Sequence, residues 1–135
     1  MSDLTYSDDV PGVEEFCAMR ERTGLTPNTP EAASKGLAGT CFSVCVRDGD
    51  TLVGMGRVIG DGGCFYQVVD IAVHPDYQRR GIGYQIMDRL MTALKDNAPE
   101  SAYVSLIADG PAKHLYEQFG FKDTRPKSIG MAMRL

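Results

Sequence analysis

The sequence has few of the residues that indicate metal, disulfide or nucleic-acid chemistry. It has no tryptophan, two histidines, and four cysteines without a C-x-x-C pair, so it predicts neither a zinc site nor a disulfide framework. The cysteines (Cys17, Cys41, Cys45 and Cys64) are expected to be buried free thiols. A net charge of −4 provides no broad basic surface. This disfavours nucleic acid as a partner, because phosphate neutralisation supplies most of that affinity.

Long apolar runs are also missing. No window approaches the roughly 20 apolar residues that a membrane span needs, and the first residues, Met1 to Leu4, show no basic stretch followed by an apolar run. With 135 residues, of which 43% are hydrophobic, the chain is long enough to bury one core. We therefore expect a single domain over residues 1–135, cytoplasmic and without a membrane partner.

Two helices and an antiparallel pair of strands are expected in the first half. Apolar residues at helical spacing predict a helix over Val10–Arg22, and Thr29 followed by Pro30 begins a second helix that stops near Gly39. The apolar, β-branched runs Cys41–Arg47 and Leu52–Ile59 flank an Asp-Gly turn, which is typical of a hairpin.

The second half alternates strands and helices. An almost wholly apolar run over Cys64–Val73 predicts a central strand, and apolar spacing over Ile82–Leu94 predicts a long helix. Tyr103–Ile107 is expected to be a short strand, Pro111–Phe119 a helix and Ile129–Leu135 a last strand. This order predicts a mixed α/β sheet.

A glycine turn joins the central strand to the long helix. The run V-H-P-D-Y-Q-R-R-G-I-G occupies residues 73–83. The first helical turn leaves up to four N–H groups without partners and has the positive end of the helix dipole, and glycines let a phosphate reach those donors. The turn therefore predicts an anion site, although an ordinary capped helix could use the same residues.

The same run resembles the acyl-CoA signature Q/R-x-x-G-x-G/A of the GNAT superfamily of N-acyltransferases. A second stretch, S-L-I-A-D-G-P-A-K-H-L-Y-E-Q-F-G-F over residues 105–121, is similar to the family's later strand and helix. The resemblance implies a GNAT-type mixed, mainly antiparallel sheet with splayed central strands and flanking helices. It also implies acetyl-CoA as cosubstrate and direct acetyl transfer to a primary amine.

The resemblance further implies a cofactor site on the fourth strand and the glycine turn. The strand would pair with the pantetheine arm, and the turn's amides would meet the pyrophosphate. Asp109 stands where many relatives have an asparagine, and it could equally cap the following helix. The implied cofactor residues are Ile71, Ala72, Val73, Gln78, Arg79, Arg80, Gly81, Ile82, Gly83, Tyr84 and Asp109.

Two residues are candidates for catalysis. Tyr116 occupies the family's usual general-acid position, where a phenol can protonate the leaving thiolate; the alternative is a core ring whose hydroxyl binds backbone. Asp70 is the only charge in an apolar strand, which is costly unless the carboxylate is paired or functional. Because side chains alternate between the two faces of a strand, Asp70 should share a face with Val68 and Ala72 and point towards the splayed strands. It is expected to be a general base or ammonium anchor, or else a carboxylate tied to backbone or an arginine.

The acceptor is expected to be a small-molecule amine. The segment G-D-G-G-C-F-Y-Q-V-V-D-I-A-V and the ending S-I-G-M-A-M are similar to plant-type arylalkylamine-acetylating members, so an arylalkylamine or polyamine is favoured. Phe65, Tyr66, Met131 and Met133 could line an apolar amine pocket or simply pack in the core. The alternatives are a non-catalytic acyl-CoA sensor and a protein or tRNA amine acetyltransferase. Many relatives are dimers, so a homodimer is a further expectation.

Overall fold

The structure is a computed structural model that describes residues 3–135. Its five strands follow one another across the sheet in chain order: β1 (Leu4–Ser7), β2 (Phe42–Asp48), β3 (Thr51–Gly60), β4 (Phe65–Val73) and β5 (Tyr103–Ser105). The α-helices are α1 (Val13–Arg22), α2 (Pro30–Ala38), α3 (Ile82–Asn97) and α4 (Lys113–Glu117). All neighbouring strands are antiparallel except β4 and β5, which are parallel. This confirms the mixed, mainly antiparallel α/β sheet.

At the starts of both α1 and α2, a nearby side chain accepts a hydrogen bond from the backbone. The Glu15 carboxylate accepts from the backbone N–H of Gly12 at 2.8 Å, and the Thr29 hydroxyl accepts from Ala32 N–H at 3.1 Å. The α1 helix begins three residues later than predicted because the backbone of Gly12 is still extended. In both helices a side-chain acceptor and an acidic first turn, with Glu14 and Glu15 in α1 and Glu31 in α2, thus occupy the end where an anion could bind.

The helices cover both faces of the sheet. The α3 helix packs over Val44 and Val46 of β2, whereas α1 and α2 cover the opposite face around Cys45 and Met55. Gly56 of β3 lets α3 approach closely, since a Cβ there would lie 2.6 Å from side-chain atoms of Ile71 and Ile86. This contact fixes the position of α3 against the central strands.

The sheet opens between β4 and β5. These strands pair only where Phe65–Gln67 meets Tyr103–Ser105, so β4 from Val68 to Val73 has no strand on that side. The splay that the family resemblance implied is thus confirmed. It leaves the backbone edge of β4 available close to the beginning of α3.

The elements differ from the prediction in three places. The sequence did not indicate the strand β1, because its four residues are too few for an alternation of apolar and polar side chains to be detected. The helix predicted over 111–119 is confirmed in part: α4 is helical, and a 3-10 turn at Gly110–Ala112 precedes it. Residues 129–135 form no strand, because no edge of their own chain pairs with them within the described structure.

The cysteines differ in exposure. Cys45 is fully buried, and burial raises the pKa of its thiol to about 11. Cys17 and Cys41 are half-buried, and Cys64 is exposed, so the expectation of a buried thiol is wrong for Cys64. All four are free, as expected. Among residues 3–135, no helix combines the length and apolar character needed to cross a membrane.

Candidate active site

The chain between β4 and α3 is a tight, unusual turn. A single 3-10 turn over Pro75–Tyr77 is followed by two residues with positive φ, Arg79 at 66° and Gly81 at 77°. A positive φ is uncommon for a residue with a Cβ, and such backbone strain clusters at functional sites. Two such conformations therefore lie within three residues, immediately before α3.

The backbone donors of this turn have no protein acceptors. Within residues 3–135, the N–H groups from Arg79 to Tyr84 make no hydrogen bond; the first helical bond of α3 runs from Gln85 N–H to Gly81 O, at 3.1 Å. Gly81 has no side chain that could cap the helix, and the first turn has no acidic residue. The beginning of α3 is therefore an open anion site, unlike the capped beginnings of α1 and α2.

A cavity of about 390 Å³ connects this turn with β4 and α4. It brings together eight of the residues that the resemblance implied, from β4 and from the turn, and adds residues that the sequence did not indicate. Its lining residues are Ile71, Ala72, Val73, Tyr77, Gln78, Arg79, Gly81, Ile82, Gly83, Ala112, Leu115 and Tyr116. The open edge of β4, the open helix start and the candidate acid thus share one cavity.

The two arginines of the turn have different surroundings. Arg79 lines the cavity, whereas Arg80 folds back, with its guanidinium 5.0 Å from the centre of the Tyr77 ring and a hydrogen bond to Asp76 O at 3.3 Å. The Gln78 side chain donates to Val73 O at 3.0 Å and so ties the turn to the end of β4. Arg79 is therefore the better placed cation for a bound phosphate.

Tyr116 reaches the cavity from α4. Its ring is half-buried and meets the Phe121 ring edge to face, with centroids 6.4 Å apart, but its hydroxyl binds no acceptor in the described part of the chain. The alternative of a hydroxyl tied to backbone therefore finds no support. Burial first, and the charge of Asp109 second, raise the pKa of Tyr116 above its usual 10.0. The phenol stays protonated at neutral pH, as a proton donor must.

Besides Arg80, two implied cofactor residues lie outside this cavity, Asp109 and Tyr84. Asp109 is exposed and precedes the 3-10 turn, but its carboxylate caps nothing there. The helix-cap alternative for Asp109 is therefore wrong. The Tyr84 ring is 43% exposed and packs against Phe119 at a centroid distance of 4.9 Å. Only the backbone N–H of Tyr84 faces the open helix start, and the cofactor roles of both residues stay predictions.

Asp70 belongs to a closed cluster on the other side of β4. Its carboxylate accepts from Arg57 Nε at 2.8 Å and from Arg20 Nη1, and its side chain is 6% exposed. The Phe16 ring lies under both guanidiniums, 5.4 Å from Arg57 and 5.8 Å from Arg20. The carboxylate does not point to the splayed strands, so that part of the prediction is wrong, and the structure supports pairing with arginine.

A β-bulge explains the error. Asp70 has φ of 61°, and the pairing of β3 with β4 shifts register between Met55 and Arg57. Such a bulge reverses the side-chain alternation. Val68 therefore packs under α3, while Ala72 packs under α1 and α2, although the sequence predicted a shared face. A signal for the partner existed: Arg57 is the only charge in the apolar run Leu52–Ile59 of the adjacent strand.

A larger groove, of about 540 Å³, lies between β2 and the second half of α3. Its lining includes Asp88, Asp96 and Asn97. Carboxylates and the negative end of the helix dipole would repel a polyphosphate. The smaller cavity at the beginning of α3 is therefore the candidate active site.

The residues suggested for an amine pocket do not form one within a single chain. Tyr66 is buried and stacks on Phe42 in the core, at 6.4 Å between ring centroids. Phe65, Met131 and Met133 are 64%, 86% and 84% exposed. The described residues also contain no group of three His, Cys, Asp or Glu side chains placed to hold a metal ion.

Comparison with known proteins agrees with this geometry. The Staphylococcus aureus protein SA2161, described as a protein of unknown function and probable acetyltransferase, has a crystal structure that matches with 48% identity and a TM-score of 0.94, over 98% of this chain and all of that one. The uncharacterized N-acetyltransferase ycf52 of Porphyra purpurea is 31% identical over 70 residues, 52% of this chain and 39% of that protein. The N-alpha-acetyltransferase of Sulfurisphaera tokodaii is 38% identical over 60 residues, 43% of this chain and 36% of that protein.

These matches span under two fifths of the curated relatives' own lengths. A broader match shows the family. The family model described as the acetyltransferase (GNAT) domain matches residues 38–123 of this chain. That range contains the splayed strands, the open start of α3 and Tyr116 together. The chain therefore belongs to the GNAT family of acetyltransferases.

Proposed function

We propose that this chain is an acetyl-CoA-dependent N-acetyltransferase that acetylates a primary amine without a covalent enzyme intermediate. The observation that supports it most is the run of unpaired N–H groups from Arg79 to Tyr84 beside a cavity that also contains the Tyr116 ring. One cavity thus contains both donors for a polyphosphate and a side chain that can act on a reacting group. Acetyl-CoA has a pyrophosphate and a reactive thioester at its two ends.

The residues fit this cosubstrate in two places. The N–H groups of residues 79–84 and the Arg79 guanidinium would hold the pyrophosphate. The free edge of β4 at Ile71–Val73 would pair with the amide groups of the pantetheine arm, as a strand does. Bound acetyl-CoA supplies an acetyl group activated as a thioester.

The transfer requires one acid and one proton acceptor. The amine nitrogen forms a bond to the carbonyl carbon while the bond from that carbon to sulfur breaks, and the Tyr116 hydroxyl donates its proton to the departing sulfur. The amine arrives as an ammonium and loses its first proton to water, and its second proton restores the Tyr116 hydroxyl through solvent. Products are an amide and a free thiol.

The role of Asp70 in proton transfer stays a prediction. Both carboxylate oxygens are bonded to arginines, so the arrangement supports a structural role for this residue. A base or ammonium anchor would need one of these bonds to open. Water is therefore the group that accepts the proton of the ammonium.

For the acceptor, we propose a small primary amine such as an arylalkylamine or polyamine. The net charge of −4 favours a cationic acceptor and disfavours a tRNA. A second candidate is a protein amino terminus, favoured by the similarity to the archaeal N-alpha-acetyltransferase. Both acceptors present an amine, and the cofactor site is the same for each.

The test is thiol release from acetyl-CoA in the presence of arylalkylamines, polyamines and short peptides with a free amino terminus. We expect release above the hydrolysis background with the first two classes. Release with peptides alone would replace the small-molecule acceptor by the protein acceptor. Tight binding of acetyl-CoA in calorimetry without turnover on any amine would instead support the alternative of a non-catalytic sensor, and no binding at all would refute the site.

A further inference from the structure

The turn between β4 and α3 has a locally unfavourable backbone. Arg79 has φ of 66°, and this region costs free energy for a residue with a Cβ. The backbone N–H groups of residues 79–84 have no acceptor within residues 3–135, so no hydrogen bond of their own offsets that cost. Such a conformation persists only where surrounding contacts determine it. The turn therefore depends on how it is attached to the rest of the fold.

Tyr77 is the residue that attaches the turn. Of residues 75–81 it alone is half-buried, and the other six are exposed. Its ring packs against the core beneath α3 and also lines the candidate active-site cavity. In the described part of the chain, the other hydrogen bonds of residues 75–81 stay within residues 73–85. The Tyr77 hydroxyl instead donates to the carboxylate of Asp48, 29 residues away.

Both ends of this bond are well fixed. Asp48 is the last residue of β2 and pairs with both neighbouring strands. The His74 ring meets the Tyr77 ring edge to face at 5.7 Å between centroids, and the Arg80 guanidinium lies 5.0 Å from its centre. The hydrogen bond to Asp48 first, and burial second, raise the pKa of Tyr77 above its usual 10.0. The hydroxyl therefore remains a donor at neutral pH.

Two tyrosines line the cavity, and their hydroxyls differ. The Tyr116 hydroxyl has no acceptor among residues 3–135 and is free to donate a proton to a bound group. The Tyr77 hydroxyl already donates to a carboxylate. A hydroxyl held in this way cannot at the same time protonate a departing sulfur. The arrangement therefore favours a positioning role for Tyr77.

We propose that Tyr77 is a positioning residue for the cosubstrate: its bond to Asp48 holds residues 78–84 in the conformation whose N–H groups bind the pyrophosphate. This inference rests on the proposed function. Donors that are fixed before binding lose less conformational entropy when the ligand arrives. Without the bond, only the fraction of chains with a competent turn can take up the ligand. The effect should therefore appear in the affinity for acetyl-CoA and not in the chemical step.

Tyr77→Phe tests this, because it retains the ring and removes the bond. We expect the Kd of acetyl-CoA in calorimetry to rise roughly tenfold, the loss expected for one hydrogen bond to a charged group. The kcat of thiol release with an arylalkylamine, at saturating acetyl-CoA, should stay unchanged. The matched control Tyr103→Phe removes a hydroxyl from a tyrosine that is 55% exposed, and it should bind as the natural chain does.

Variants of the partner residue sharpen the test. Asp48→Asn should retain most of the affinity, because its amide oxygen can still accept the bond. Asp48→Ala should weaken binding as much as Tyr77→Phe, and the two changes together should weaken it no further. Full additivity of the two losses would show that the residues act separately and would overturn the proposal.

A truncated thioester separates positioning from catalysis and from a general loss of structure. S-acetylpantetheine has no pyrophosphate, so the natural chain and Tyr77→Phe should use it with equal kcat/KM. An equal loss with both thioesters, or natural acetyl-CoA affinity in Tyr77→Phe, would overturn the proposal. A natural chain that does not bind acetyl-CoA would instead refute the cofactor site itself, and this inference with it.

Discussion

Two polar regions lie on either side of β4 and differ in one respect. In the cluster of Arg20, Asp70 and Arg57, the buried carboxylate is bonded through both oxygens by its neighbours. In the turn of residues 79–84, the backbone donors have no partner among residues 3–135, and neither has the Tyr116 hydroxyl across the cavity. Both regions contain a locally unfavourable feature. The first has a charged residue inside an apolar strand, and the second has a positive φ at Arg79.

Whether the polar groups already have partners distinguishes a structural role from a binding role. Buried polar groups that satisfy one another stabilise the fold, whereas preorganised groups left open can bind a ligand. Both regions are conspicuous in the sequence, but the Asp70 carboxylate is already bonded to arginines, whereas the backbone donors at Gly81 and Gly83 are open. The open region is therefore where substitutions should change activity, and the closed cluster is where they should change stability.

Tyr116→Phe should have the largest effect. It retains the ring and removes the unpartnered hydroxyl, so kcat should fall by about 10²- to 10⁴-fold while acetyl-CoA affinity and the unfolding midpoint stay unchanged. Because burial raises the pKa of Tyr116, the alkaline loss of activity in the natural chain should occur above pH 10. Steady-state kinetics against pH measures both. Natural turnover in the variant would place the acid elsewhere.

Asp70→Asn should act mainly on stability. It leaves two buried guanidiniums without their counter-charge, and we expect a loss of about 3–5 kcal/mol in the free energy of unfolding, measured with urea. The control Asp96→Asn removes an exposed carboxylate without an ion pair among the described residues and should cost under about 0.5 kcal/mol. An Asp70→Asn chain with natural stability but a raised amine KM or a lowered kcat would revive the base or anchor role.

Gly83→Leu should separate the two properties within one residue. An added Cβ would lie at an ordinary 3.5 Å from Leu115 Cδ2, so the fold tolerates it, and leucine in place of glycine stabilises a helix by up to about 1 kcal/mol. The family signature accepts alanine at this position, so a larger side chain is needed; the leucine side chain would occupy part of the cavity, and acetyl-CoA affinity should fall by roughly tenfold or more, about 1.4 kcal/mol. Calorimetric titration and thermal unfolding measure the two effects.

The matched control is Gly36→Leu in α2, where a Cβ would meet nothing within 4 Å and the residue is exposed. It should give the same gain in stability with unchanged affinity. Equal affinities in the two variants would show that the beginning of α3 is not the cofactor site.

Glu15→Gln should have the smallest effect, at the closed start of α1. The Arg47 guanidinium, bonded through two 2.8 Å contacts, holds the pKa of Glu15 below its usual 4.5. A lowered folded-state pKa stabilises the fold above the unfolded pKa, and this stability is lost as pH falls through the folded pKa. We expect the variant to lose about 1 kcal/mol at pH 7 and to converge on the natural chain once the pH falls below the lowered folded-state pKa of Glu15. A constant difference across the pH range would contradict the pairing.

Much of the fold follows from local sequence signals. Apolar spacing located α3, Thr29 marked the beginning of α2, and the Asp-Gly turn located the hairpin of β2 and β3. The signal failed where an element depends on pairing with distant residues. The strand β1 is specified by its pairing with β2. Residues 129–135 have strand alternation but no partner strand in the described part of the chain.

By itself, the sequence determined the glycine turn and the family, because these depend on residues adjacent along the chain. Only the tertiary structure decided which polar groups are occupied and that the start of α3 is open. The bulge at Asp70 reverses the alternation that a sequence pattern assumes, and it brings Arg20, 50 residues away, onto that carboxylate. The splay of β4 from β5 likewise places Tyr116 across the cavity from Arg79. Contacts between residues far apart in the chain have no local signature. Packing therefore decides which side of β4 forms the candidate active site and which side contains the buried ion pairs.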